Sequence, residues 1–267
     1  MLTNLTLNGE FTMKIDLLSK AQLSIINKNS LKYPLATAEK DYILAIVLHI
    51  IYNTSLKDKL IFKGGTAIHH IYLDQLRFSE DLDFSSVASI SIQDIEEAFN
   101  PYSFLEVISY HESQFALKIE RMKYYGPLEQ PNSIKIDIDL TQELLLPPVR
   151  MNYNNYYKVP VSVQAMNILE ICAEKLRAIN ERTRYRDFYD LTFVVRNHTM
   201  KEPLILLLQY AATWNCFVLE KKQQNVSVIW SRFIEGQDTI LSMFNIIGRW
   251  LHQPEIGNFK QSEAQEL

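Results

Sequence analysis

The 267 residues carry 27 Lys and Arg against 31 Asp and Glu, a net charge of −4, with 47% hydrophobic and 22% charged side chains. This is the composition of a soluble globular chain with room for one large domain or two small ones, and its acidic balance excludes a surface basic throughout, leaving only a local patch for nucleic acid. No apolar run reaches the roughly 20 residues of a membrane-spanning helix, and no basic segment leads into an apolar run and cleavage site, so a cytoplasmic protein with no membrane partner is expected. The two cysteines, Cys172 and Cys216, stand among apolar neighbours and predict buried thiols, with no disulfide framework and no metal-ligand spacing.

Residues 38–54 place Ile43, Leu44, Ile46, Val47, Ile50 and Ile51 on a helical stripe, which predicts a largely buried helix. Leu60 to Phe62 read as a short strand, Gly64-Gly65 as a turn, and a second helix is expected from Thr66. DLDFSS alternates acid and apolar residues as a half-buried strand does, and Ser91 caps a short amphipathic helix through Phe99. Strands are expected at 112–122 and 133–140, paired with each other across a Gly-Pro turn. ELLLPPVR and MNYNNYYKVP read as an irregular connection and a domain boundary, dividing residues 1–160 from 161–267. From Asn167 the periodicity is helical, through NILEICAEKLRAINER, DFYDLTFVVRN, LILLLQYAATWNCFVLE and TILSMFNIIGRWLH. The order predicts an α+β core, a small mixed sheet flanked by helices, followed by a helical C-terminal domain.

The chemistry-bearing residues cluster in the first part. Asp81 and Asp83, two apart on a strand, leave one face with Cα atoms about 6.6 Å apart. Two like charges so placed repel unless they are solvated or share a cation, for which Mg²⁺ with its oxygen ligands is the natural choice. Asp137 and Asp139 repeat the spacing on a second strand; for that strand alone a solvated face is the commoner meaning. Gly64-Gly65 shifts the balance, because a glycine pair between strand and helix lets backbone amides approach a phosphate, and Thr66 adds a hydroxyl.

The order FKGGTA, RFSEDLDF and an acid-bearing strand, then AEKLRAINERTRYRDFYDL, resembles the AbiEii/AbiGii toxin family, which includes the MenT-like enzymes, within the polymerase-β-type nucleotidyltransferase superfamily. The resemblance spans Lys63 to Leu191. It implies a polymerase-β-like core in which Gly64, Gly65 and Thr66 hold a nucleoside triphosphate, with Lys63, Ser79, Lys175 and Arg186 as further nucleotide contacts. It implies Mg²⁺ on Asp81, Asp83 and a third acid on the KIDID strand, where Asp137 fits better than Asp139. In RDFYDL either Asp187 or Asp190 completes the site, with Asp190 preferred and Asp187 a structural partner of nearby arginines. The fifteen residues between Gly65 and Asp81 exceed the spacing in many superfamily members. The family also implies transfer of nucleotides to an RNA, at the tRNA 3′ end, and a cognate antitoxin.

Residue types in the second region agree. Lys175, Arg177, Arg182, Arg184 and Arg186 outnumber Glu174 and Glu181, with Tyr185 among them, as in a phosphate-gripping patch; a solvated, ion-paired face is the plain alternative. Arg77 and Ser79 stand where they could orient the first acids or a phosphate. His69 and His70 lack a spaced third ligand and read as packed or surface residues, and the tyrosines of 153–157 read as packing. Two other functions share these residues: nucleotidylation of a protein or small molecule, and nucleotide binding without turnover.

Overall fold

A computed structural model describes residues 3–5, 11–181 and 185–197. The chain divides into two compact units, Met1–Asn167 and a second that begins at Ile168. Strands β1 (Thr3–Leu5) and β2 (Phe11–Met13) form an antiparallel pair of their own. Helix α1 (Lys20–Asn29) starts in a capping box, the Ser19 hydroxyl accepting from the Gln22 N–H and the Gln22 side chain accepting from the Ser19 N–H.

Helix α2 (Leu35–Ile51) buries thirteen of its 17 residues, so the apolar stripe read from the sequence becomes a nearly continuous apolar surface. A helix of that kind belongs in the interior. It packs on α1 and on two elements that follow, α4 (Ile92–Phe99) and β7 (Pro131–Asp139). The first strand of the main sheet, β3 (Leu60–Lys63), leads directly into α3 (Gly64–Ala67), two residues earlier than the helix start expected at Thr66. This helix continues as a π-turn over Ile68–Tyr72. Strand β4 (Asp81–Ser86) follows, and Ser91 with Asp94 forms the capping box of α4.

Strands β5 (Leu105–Glu112) and β6 (Ala116–Tyr125) form a hairpin. The sequence missed β5 because register shifts around Ser109 break its alternation, and it ran 112–122 together as one strand. Ser113 is what divides them: its Oγ accepts from the N–H groups of Phe115 and Ala116, closing the turn. The stretch read as irregular contains β8 (Val149–Asn152), which pairs with β9 (Ser162–Ala165). The seven-stranded sheet runs β5-β6-β7-β4-β3-β9-β8, with β4–β7 and β3–β9 parallel and the other neighbours antiparallel.

One face of this sheet is the core: Phe62, Leu82, Phe84, Leu117, Ile119, Ile134, Ile136 and Ile138 are all buried, with the Phe62 and Phe84 rings 5.4 Å apart. Side chains alternate along each strand, so the residues between these, including Asp81, Asp83, Asp137 and Asp139, emerge on the other face. Of the second unit, α5 (Ile168–Glu181) and α6 (Tyr185–Asn197) are described. The helical segments expected from residue 204 onward, and Cys216, lie outside the described residues.

Candidate active site

Gly64 stands where β3 turns into α3, with φ +78°, a left-handed backbone that glycine alone adopts cheaply. A Cβ built there would lie 2.1 Å from Asp83 Oδ2, so the head of the helix rests directly on that carboxylate. Gly65 and Thr66 are buried, and the Thr66 hydroxyl donates to the Asp81 carbonyl at 2.6 Å. The Thr66 side chain therefore ties the helix to β4, while the backbone amides of Gly64 and Gly65 head the helix.

The strand register aligns the acids. Asp83 stands opposite Asp137 in the parallel β4–β7 pair, and Asp81 opposite Lys135. On its other side Asp83 faces Lys63 of β3, and Asp137 faces Lys118 of β6. One row across four strands thus reads Lys63, Asp83, Asp137, Lys118, with strands about 4.8 Å apart. The Lys63 ammonium donates to Gln142 Oε1 and lies 3.9 Å from Asp139. Gln142 Oε1 also accepts from the Ser85 hydroxyl at 3.1 Å. Asp139 Oδ1 accepts from the Thr141 N–H, the Thr141 hydroxyl and the Gln142 N–H at 2.9–3.1 Å. The Asp139 carboxylate thus closes the turn after β7, while Asp137 shares the row with Asp83.

In the second unit, the Lys175 ammonium lies 2.9 Å from Asp187 Oδ1 and 3.0 Å from Asp190 Oδ2. Both carboxylates are fully buried and Lys175 is 12% exposed at its side chain, so one ammonium is shared by two buried acids that α6 presents three residues apart. Cys172, one turn before Lys175, is buried, and burial pushes its thiol up to about 12. Arg186 is exposed on α6.

Arg77 Nη1 donates to the Phe78 carbonyl at 3.0 Å, Ser79 is half-buried, and the neighbouring Glu80 pairs with Lys40 at 2.8 Å. His69 and His70 are both fully buried. Tyr153 and Tyr157 are core residues, and Tyr156 is exposed.

A divalent cation fits this face in donor chemistry and in register: Asp81, Asp83 and Asp137 offer hard carboxylate oxygens on one side of the sheet. Among the described residues no group of three His, Cys, Asp or Glu side chains is placed to hold a metal ion, while the backbone register puts the three acids on one face. The sequence reading passed over Lys118, Lys135 and Gln142. The signal for Lys118 was present in LKIE, whose alternation matches KIDID and puts Lys118 on the acid face once the two strands pair.

A mixed sheet that lines up carboxylates from two neighbouring strands beside a glycine-headed helix is the core of a nucleotidyltransferase. The family model described as "Nucleotidyl transferase AbiEii toxin, Type IV TA system" matches residues 46–238, more than half the chain, and the protein belongs to that family of nucleotidyltransferase toxins. Its fold is similar to that of MenT4, a nucleotidyltransferase toxin of Mycobacterium tuberculosis, at 21% identity over 73% of this chain and 70% of that one, with a TM-score of 0.57. JHP933 from Helicobacter pylori aligns at 16% identity over 81% of this chain and 96% of that one, with a TM-score of 0.48. None of the curated proteins matches. Among the described residues no helix is long and apolar enough to cross a membrane.

Proposed function

We propose that this toxin transfers a nucleoside monophosphate from a nucleoside triphosphate to an RNA, at the 3′ end of tRNA, with Mg²⁺ held by Asp81, Asp83 and Asp137. The observation that carries the reading is the row in which Asp83 and Asp137 stand side by side, with Gly64 seated against Asp83. When bound, Mg²⁺ supplies Lewis-acid neutralisation of the phosphates and eases deprotonation of the acceptor hydroxyl. The chain does the rest. Backbone amides of Gly64 and Gly65 cradle the triphosphate, and Thr66 holds that helix to β4 through the Asp81 carbonyl. Lys63, Ser79, Lys175 and Arg186 contact phosphate, and Asp190, which shares the Lys175 ammonium, completes the set. The acceptor hydroxyl gives up its proton to water as its oxygen bonds the α-phosphorus, the α–β bridging P–O bond breaks, and pyrophosphate leaves.

In this reading the catalytic core, expected over residues 1–160, runs on through β9 to Asn167, and the helical part that begins at Ile168 supplies Lys175, Arg186 and Asp190. RNA is favoured as acceptor by the run of cations from Lys175 to Arg186. The protein works in the cytoplasm and is held in check by its cognate antitoxin, as its membership of a type IV system implies.

Incubation with each labelled nucleoside triphosphate, Mg²⁺, and total RNA or total protein tests the proposal. Label in tRNA is expected, and Asp81→Ala should abolish it while circular dichroism and melting stay as in the wild type. Label in protein alone replaces the acceptor. Normal transfer by Asp81→Ala removes the assignment of the metal-holding acids.

A further inference from the structure

Behind the Gly-Gly turn lies a buried polar cluster that the transfer reaction does not use. Its centre is Asp41 of α2, 1% exposed, facing His70 of the π-turn, 0% exposed, with Gln75 also buried. Gln75 Nε2 donates to Asp41 Oδ1 at 2.9 Å, and His70 Nε2 stands 3.4 Å from the same oxygen. Burial, and after it the Asp41 charge, pushes the phenols of Tyr33, Tyr153 and Tyr157 up, which places all three in the field of that carboxylate. His70 Nε2 and the Tyr153 hydroxyl have no hydrogen-bond partner among the described residues, while Tyr33 meets the Gln75 side chain and Tyr157 the Asp41 carboxylate. Buried polar atoms are ordinarily satisfied, so exceptions gathered around one carboxylate call for a specific reason.

The histidine tautomer sharpens this. His70 Nδ1 is 2.9 Å from the Asn154 carbonyl, which can only accept, so Nδ1 carries a hydrogen. Nε2, on the other side of the ring, faces the Asp41 carboxylate.

The cluster is also part of the cradle's frame. His70 lies in the π-turn that continues α3, and such turns recur at functional sites. Its carbonyl accepts from the Asn154 N–H at 2.8 Å, and its ring stacks on Tyr153 at 4.3 Å and 9°. Gln75, with φ 46°, donates its N–H to the His69 carbonyl at 2.8 Å. We propose that Asp41 and His70 are a positioning pair for the triphosphate cradle. Through the 3.4 Å contact between them and the bonds of His70 to Asn154, they fix the π-turn against α2 and the 153–157 loop, and so hold Gly64 to Thr66 at the ends of β3 and β4. The inference rests on reading the Gly-Gly turn as the triphosphate site.

Asp41→Leu and His70→Phe remove the pair, whereas Asp41→Asn keeps an acceptor for Gln75. Calorimetric binding of each nucleoside triphosphate with Mg²⁺, well below each variant's melting temperature, compares folded proteins only. Kd should rise about tenfold or more in the first two variants, in the range that misplacing a site costs. In Asp41→Asn it should stay within about threefold. Exchange of the amides from Gly65 to Tyr72 should quicken in the same order. If Asp41→Leu does not fold, Tyr153→Phe, which keeps the stacking and removes one hydroxyl, should still raise Kd. Lower melting temperatures with unchanged Kd in the folded variants overturn the pair. A wild-type chain that binds none of the triphosphates overturns the reading of the turn as well, so the two failures are told apart by the wild type.

Discussion

Replacing Gly64 by alanine tests the cradle where it is tightest. The new Cβ would stand 2.1 Å from Asp83 Oδ2, 2.7 Å from Cγ and 2.8 Å from Cβ. Two penalties combine. An L-residue in the left-handed region costs about 1–2 kcal/mol. Forcing side chains or backbone apart in a packed site costs about 1–3 kcal/mol more, because the Asp83 Cβ is anchored in β4 and only its carboxylate can swing away. About 3 kcal/mol in total lowers the melting temperature by roughly 6–12 °C in a chain of this size. Thermal and urea unfolding followed by circular dichroism measure the loss, and nucleotide transfer should fall further than stability because the carboxylate is pushed from its row. Gly65→Ala, at a helical position, lacks the backbone penalty and should cost less. In the Gly64→Ala, Asp83→Ala double variant the Oδ2 and Cγ contacts vanish, so the two changes should couple by about 1 kcal/mol in a double-mutant cycle. A Gly64→Ala protein within about 0.5 kcal/mol of wild type, or an additive cycle, refutes the close approach.

Burial raises the Glu39 carboxyl above its ordinary value, against a weaker lowering by the Leu128 N–H it accepts from at 2.6 Å. A raised folded value means that ionisation destabilises the fold as pH climbs past the unfolded value. Glu39→Gln should therefore be more stable than wild type at pH 7 and match it below about pH 4, in urea titrations at both. Asp94 goes the other way: its bond from Lys59, 2.7 Å long, and then the Ser91 N–H hold its carboxyl low. Its contribution is present above the ordinary aspartate value and lost as pH falls through the lowered one. Asp94→Ala should cost about 1 kcal/mol at pH 7, the value of a lost cap, and about nothing at pH 2.

The acids were legible because a strand's period of two is strict: DLDF and KIDID each declare one polar face, and the core side followed from the residues between. The glycine pair was legible because it stands between a strand pattern and a helix pattern, and Gly64 does take the left-handed φ of +78° that favours glycine. Pairing order was less accessible. Placing β7 beside β4, parallel and in register, depends on contacts across fifty residues that no local pattern encodes, and only that register turns two acid pairs into a row with Lys118 at its end. The Asp41 cluster was hidden for a different reason: within α2 the acid looks like one more polar position of an amphipathic helix, and its burial comes from packing of the π-turn and the 153–157 loop. Strand β8 was lost to the Pro147-Pro148 signal, which marks the residues before the strand begins.

The row of four explains how the sheet tolerates two carboxylates abreast. At about 5 Å and an effective dielectric of about 20 their repulsion is about 3 kcal/mol. Lys63 and Lys118 stand one strand farther out on either side; Lys118 is exposed and the Lys63 ammonium is turned to Gln142 and Asp139, so each adds a smaller, screened attraction that lessens the repulsion. The fold is therefore expected to stand without a divalent cation, and a cation that binds to add stability by mass action. Chelation with EDTA should leave the wild-type melting temperature unchanged, and excess MgCl₂ should raise it. Lys118→Ala removes one flanking charge: it should melt lower than wild type in EDTA and show the larger rise with MgCl₂, because the unbalanced acids then bind the cation more tightly. Asp137→Asn should melt no lower than wild type in EDTA and lose most of the rise. Unfolding of the wild type by EDTA, or equal MgCl₂ responses in wild type and both variants, would remove the row as the seat of the metal.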